Sequence, residues 1–128
     1  VLTGCKSYMD CLLAALTIKI KLQSIFLGLD FTLDRISIQN IVGNASLNLQ
    51  KEQTLNLSKF YQDHNILCTY QPNMFPGLIY RPSHVNIVLL LFYSGKIVIT
   101  GAKNMQDVYI GWKQLHEIVV TYINSACT

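Results

Sequence analysis

NMFPGLIYRPSHVNIVLLLFYSGKIVITGAK, residues 73–103, packs three apolar runs and two tight turns into one continuous segment. Between Ile87 and Tyr93 every residue is apolar. Ser94-Gly95 then supplies turn chemistry, and Lys96 opens a second β-branched run that ends at Thr100-Gly101. The segment predicts a β-meander. A strand that is apolar on both faces has to cover both. Helices can bury one of them, but a chain of 128 residues with few helical segments is not expected to bury the other as well. That surplus apolar face is the first functional clue.

Around the meander, composition sets bounds. At 51% apolar, the 128 residues suffice for one globular domain with its own core and not for two. Ten Lys and Arg against seven Asp and Glu is a mildly basic balance, too small for net charge alone to argue for nucleic acid. Cys5, Cys11, Cys68 and Cys127 form no CxxC pair and have no histidine at ligand spacing, which points to free thiols in a reducing compartment rather than zinc or disulfides. No metal or cofactor is expected. Val1 opens the chain with no charged n-region and no cleavage site, so no signal peptide is expected and the sequence reads as starting inside a longer protein. The longest apolar run is well short of the roughly 20 residues of a membrane helix, and Lys19 and Lys21 interrupt the other candidate; the expectation is a soluble protein.

The chain also repeats itself. VLTGCK at residues 1–6 reads like VITGAK at residues 98–103, and Asp10 falls where Asp107 does. In each copy a strand should end at Thr-Gly. Ser7 or Asn104 then stands three residues before an Asp, the layout of a helix N-cap with an acidic first turn. The first predicted helix covers residues 7–25, with Leu12, Leu13, Leu16, Ile20 and Leu22 among β-branched residues and Gly28 as its stop. The second covers residues 104–123, with Met105, Val108, Trp112, Leu115, Val119 and Tyr122 on one face. Residues 32–46 read as a strand with a polar pair, Gln39-Asn40, amid isoleucines, residues 44–53 as a polar loop, and residues 54–63 as a short helix. The spacings among the last strands allow hairpins but not crossovers. The fold class is therefore α+β, a mainly antiparallel sheet with helices gathered on one face. His64 and His116 read as surface residues without a role.

IQNIVG at residues 38–43, FPGLIYR at residues 75–81 and SGKIVITGAK at residues 94–103 closely resemble the second repeat of the TATA-box-binding protein family, and residues 1–6 resemble the end of its first repeat. The resemblance implies half of a saddle: a curved antiparallel sheet with helices on the convex face, residues 1–28 being the last strand and helix of a first repeat and residues 29–128 a second repeat. It further implies a general transcription initiation factor of the nucleus whose concave face sits in the minor groove of A·T-rich double-stranded DNA and bends it by phenylalanine insertion, a mechanism for which this family is itself the type example. Such a factor nucleates preinitiation-complex assembly.

With a strand period of two, Leu90 and Phe92 share one face, as do Val98 and Thr100. The resemblance assigns these four to DNA and leaves Leu89, Leu91, Ile97 and Ile99 beneath the helices. It makes Phe75 and Phe92 the intercalating wedges, although Phe92 taken alone would be ordinary core. Asn40, with Val42 beside it, becomes a donor to base acceptors, where an ordinary strand Asn would be satisfied internally. Arg81, Lys96 and Lys103 fall at the DNA backbone, with Val1, Thr3 and Lys6 as counterparts in the first repeat. A minor groove at A·T pairs shows only acceptors and lacks the guanine amino group, so flat apolar side chains press against it where a G·C pair would clash.

Two places depart from the family pattern. His84 and Asn86 stand where lysine or arginine is common, which implies fewer phosphate contacts. The turn used by transcription factor IIB carries Tyr70, Gln71, Asn73 and Met74, with glutamates and a leucine replaced; a factor IIB-like protein and other general factors are still the partners implied. An unpaired edge at residues 1–6 is expected to promote self-association, measurable as concentration-dependent mass in light scattering. Two other readings stand beside this one. An enzyme is disfavoured because Asp10, Asp30, Asp34, Glu52, Asp63, Asp107 and Glu117 are scattered among loops and helix ends, with no nucleophile–base arrangement. A family paralogue acting mainly as a protein-interaction platform, with weak or altered DNA selectivity, is the closer rival.

Overall fold

The computed structural model describes residues 1–124; Cys127, expected as a free thiol, lies outside the described residues. The chain forms two compact units, Val1–Ser37 and Ile38–Thr128.

The first unit is built on α1 (Tyr8–Ile25). Ser7 is extended at φ −148° and its hydroxyl accepts from the Asp10 amide at 3.1 Å. The Asp10 carboxylate reaches back to accept from the Lys6 amide at 3.3 Å, closing a reciprocal cap. The helix ends at Ile25, as expected, but its cap is Phe26 and not the Gly28 stop. Phe26 leaves helical geometry at ψ +77°, its amide still bonded to the Leu22 carbonyl at 2.9 Å. Gln23 then ties down the chain that follows, donating to the Leu29 carbonyl and accepting from the Phe31 amide at 3.0 Å. Residues 1–6 carry no strand, against expectation, since they enter no strand pairing among the described residues.

The second unit holds a five-stranded antiparallel sheet, in the order β1 (Ile41–Ser46), β6 (Lys96–Ala102), β5 (Val88–Leu91), β4 (Leu78–Tyr80), β3 (Cys68–Thr69). α2 (Leu57–His64) and α3 (Met105–Val119) cover one face. A separate ribbon pairs β2 (Thr54–Leu55) with β7 (Ile123–Asn124), which periodicity did not reveal. The helix expected from residue 54 begins three residues later because Asn56 is its cap, Oδ1 accepting from the Lys59 amide at 3.0 Å. The last helix gives way after Val119 to a 3-10 turn, Val120–Tyr122, and then to β7. Residues 44–46, where the expected strand and the expected loop overlap, belong to β1, which in turn starts only at Ile41.

Alternation along the strands decides where the core sits. On the helix side two rows run across the sheet: Ala45, Ile97, Leu91, Leu78, and Gly43, Ile99, Leu89, Tyr80, Cys68. Leu78, Leu89, Leu91 and Ile97 are fully buried there against Leu57 and Phe60 of α2 and Val108, Leu115 and Val119 of α3. Each such side chain contributes about 1.5–3 kcal/mol through burial. Met105, expected on the inner face of α3, is exposed in its first turn. His64, expected at the surface, is half-buried: its ring packs on Phe60 with centroids 4.7 Å apart and Nε2 is 3.1 Å from the Tyr122 hydroxyl, which donates to Asp63 at 2.8 Å. His116 is exposed beside Trp112.

Candidate nucleic-acid interface

Among the described residues, the opposite face of the five-stranded sheet carries no helix from its own unit. Register places Asn44, Val98, Leu90, Ile79 and Thr69 in one row across it, with Thr100 beside Val88 toward one end and Ser46 beside Lys96 toward the other. Val42 is 59% exposed, and Val88, Leu90, Val98 and Thr100 are half-exposed, while their strand neighbours Leu89, Leu91, Ile97 and Ile99 are buried. The same apolar runs therefore serve two faces, one as core and one open.

Phe92 lies at the end of β5. Its amide donates to the Lys96 carbonyl at 3.0 Å, and the Gly95 amide donates back to the Phe92 carbonyl at 2.9 Å, closing the hairpin. Gly95 takes φ +81°, a conformation that the turn requires and that glycine adopts at no steric cost. Phe75 enters from the other connection, where the Met74 and Phe75 amides both donate to the Gln71 carbonyl at 2.9 and 3.0 Å. The Phe75 and Phe92 rings meet edge to face with centroids 5.9 Å apart. Both are half-buried on each other rather than free in solvent. Gly77 makes room for the pair: a Cβ there would stand 2.7 Å from Phe75 Cε1 and 3.1 Å from Phe92 Cε1.

Asn40 precedes β1 and is exposed. Its Oδ1 accepts from the Gly101 amide at 2.7 Å, and Nδ2 donates to the Thr100 hydroxyl at 3.2 Å. The Gly101 amide is a donor, so the oxygen end of Asn40 is the one held, and a second Nδ2 hydrogen remains to be donated elsewhere. Gly101 itself sits at φ +86° in a β-bulge of β6: the two steps along β1 from Ile41 to Gly43 are matched by three along β6 from Ala102 to Ile99. The strand expected to end at Thr100-Gly101 thus continues to Ala102, which is buried. The first unit carries the same local device, with Gly4 at φ +80° and Ser7 capping Asp10 as Asn104 caps Asp107 at 2.8 Å.

Arg81 directly follows β4, Lys96 opens β6 and Lys103 directly follows it; all three are exposed. Val1, Thr3 and Lys6 are exposed within the first unit. His84 and Asn86 are exposed in the β4–β5 connection, in which Pro82 is buried. Of the expected partner turn, Gln71, Asn73 and Met74 are exposed, Met74 at 84%, whereas Tyr70 is half-buried against the core with its ring 6.3 Å from Tyr61. Burial pushes the Cys68 thiol up to about 11, so it is a neutral core group rather than a nucleophile. Among the described residues no group of His, Cys, Asp and Glu could hold a metal ion. Sequence reasoning missed Val88, Ile79 and Asn44 on the open face. The first two were readable from period two, since Val88 is two residues before Leu90 and Ile79 lies between buried Leu78 and Tyr80. Asn44 fell where the expected strand and the expected loop overlap, so its face was not read.

Residues 35–122 match the family model described as Transcription factor TFIID (or TATA-binding protein, TBP). The TATA-box-binding protein of Acetabularia peniculus is 35% identical over 122 residues, covering 95% of this chain and 61% of that protein. For the TATA-box-binding protein of Saccharomyces cerevisiae the figures are 37% over 119 residues, 93% and 47%. The chain thus spans about half the length of such relatives. Among solved structures, Methanococcus jannaschii TBP superposes with a TM-score of 0.76 at 33% identity, covering 93% of this chain and 67% of that one. The chain belongs to the family of Transcription factor TFIID, the TATA-binding proteins.

Proposed function

We propose that the protein is a general transcription initiation factor of the nucleus that binds A·T-rich DNA through the minor groove and nucleates preinitiation-complex assembly. Residues 1–28 act as the end of a first repeat and residues 29–128 as a second. The single observation that carries this reading is the open face of the sheet, apolar in rows and ending in the paired rings of Phe75 and Phe92. Val42, Val88, Leu90, Val98 and Thr100 press on the floor of the groove, and Asn40, its oxygen already satisfied by Gly101, offers only a donor to a surface of acceptors. Phe75 and Phe92 enter a base step and kink the duplex, and the unstacking, about a few kcal/mol, is offset by the surface the bend wraps. Arg81, Lys96 and Lys103 hold phosphates, with Val1, Thr3 and Lys6 in the first repeat; phosphate contacts of this kind add affinity but little sequence information.

In a gel shift, the full-length protein is expected to retard an A·T-rich TATA duplex and to lose most of that binding when G·C pairs replace the central A·T pairs. Equal binding to both would favour the paralogue that serves mainly as an interaction platform. The turn at Gln71, Asn73 and Met74 docks a factor IIB-like protein through amide and apolar contacts. A pull-down in which Asn73→Ala with Met74→Ala retains full binding would remove that partner assignment.

A further inference from the structure

Two asparagines face the open side of the sheet, and the structure leaves them chemically different. Asn40 has its oxygen engaged by the Gly101 amide at 2.7 Å and can present only N–H. Asn44, in the middle of β1 opposite Val98, is exposed, and its carboxamide makes no hydrogen bond within the described residues. It therefore offers both a carbonyl acceptor and an amide donor. Asn is a poor strand former, so its presence at this position is not explained by backbone preference. Nor is it shared with the polar residue two places on, since the Ser46 hydroxyl accepts from the Asn48 amide at 3.2 Å.

The minor groove separates the two cases. A·T pairs show only acceptors, whereas a G·C pair adds the guanine 2-amino donor. Val98 and Leu90, beside Asn44 in the same row, have nothing to offer that amino group and are excluded by its bulk. A free carboxamide oxygen accepts from it, and on an A·T pair the same side chain donates to N3 or O2 instead.

We propose that Asn44 is a specificity-determining residue that lets the protein accept a G·C pair at the one base step it faces, so that the recognised site is A·T-rich with a single permissive position. The proposal rests on the DNA-binding reading above. The test is a binding titration of the full-length protein on an A·T duplex in which each pair in turn is replaced by G·C or by inosine·C, which pairs like G·C but lacks the 2-amino group. Wild type should lose roughly tenfold or more for G·C at most steps and stay within about twofold at one of them. In Asn44→Val, a variant suited to a strand, that step should become as intolerant of G·C as the others. Binding to A·T and to inosine·C there should change alike, since both lose the same amide donor, and retained binding of the all-A·T duplex reports that the variant folds. A wild type that binds the all-A·T duplex but rejects G·C at every step overturns the assignment, as does an Asn44→Val variant that keeps the permissive step. Failure of wild type to bind the all-A·T duplex would overturn the DNA-binding reading and this inference with it.

Discussion

At Asn40 the neighbours, not the residue type, decide the chemistry: with Oδ1 held by the Gly101 amide, the side chain faces outward as a donor. Gly77 plays a comparable part for the two phenylalanines. Its φ lies in the ordinary range, so glycine is there for space, and the missing Cβ is where Phe75 and Phe92 come together. Gly77→Ala is expected to push both rings off their rotamers at about 0.5–1.5 kcal/mol, lowering affinity for an A·T duplex roughly two- to tenfold and reducing the bend. Fluorescence resonance transfer across the bound duplex measures both, and an unchanged bend would show that the rings do not depend on Gly77. Cys68 lies opposite Tyr80, and burial raises both acids, the nearby Cys68 adding to the shift on Tyr80. A folded-state pKa raised above the unfolded one contributes stability below the unfolded value and loses it as pH climbs through the folded value. For Cys68 that window runs from 9.0 to about 11. Urea midpoints should fall between about pH 9 and about pH 11, and fall less in Cys68→Ala, where the raised hydroxyls of Tyr80 and Tyr122 still contribute.

Among the elements, α3 is the one whose seating is most tightly specified. Asn104 starts it, and Gly111 lets it approach the β4–β5 connection: a Cβ there would stand 1.9 Å from Ile87 Cδ1 and 3.1 Å from Cγ1. Ile87 is 3% exposed, so relieving the clash means shifting a buried side chain. Gly111→Ala therefore sets an overpacking cost of about 1–3 kcal/mol against about 1 kcal/mol regained from helix propensity. A net loss of about 1 kcal/mol, several degrees in thermal midpoint, is expected. Ile87→Val removes the clashing methyl, so the double variant should be less destabilised than the sum of the two singles. Strict additivity in denaturant titrations would count against the clash. The bulge at Gly101 is the other element-scale device. It keeps Ala102 in the core, three residues after buried Ile99, while turning Thr100 and the Gly101 amide toward Asn40.

For the molecule as a whole, the basic balance is modest and its placement matters more than its size. Arg81, Lys96 and Lys103 are exposed around the open face, but His84 and Asn86 occupy the connection where the family commonly carries lysine or arginine. Each phosphate contact contributes about one to the slope of log affinity against log salt. His84→Lys with Asn86→Lys in the full-length protein should steepen that slope by up to about two. An unchanged slope would mean that the connection does not reach the DNA backbone.

The meander, its split into a core set and an open set, the paired helix caps and the family itself were legible in residues 73–103 and in the echo of residues 98–103 at residues 1–6, because period-two alternation, Gly-containing turns and N-cap chemistry are local properties. Three-dimensional pairing had to supply the rest. The β2–β7 ribbon joins segments about seventy residues apart and leaves no periodic trace. His64 became half-buried only because Phe60 and Tyr122 close over it. Asn44, read as both strand and loop, was fixed in a strand on the open face because β6 was there to pair with it, and the Gly101 amide took up the oxygen of Asn40. Local sequence specified which residues could face a groove. Contacts between distant strands decided what each of them presents to it.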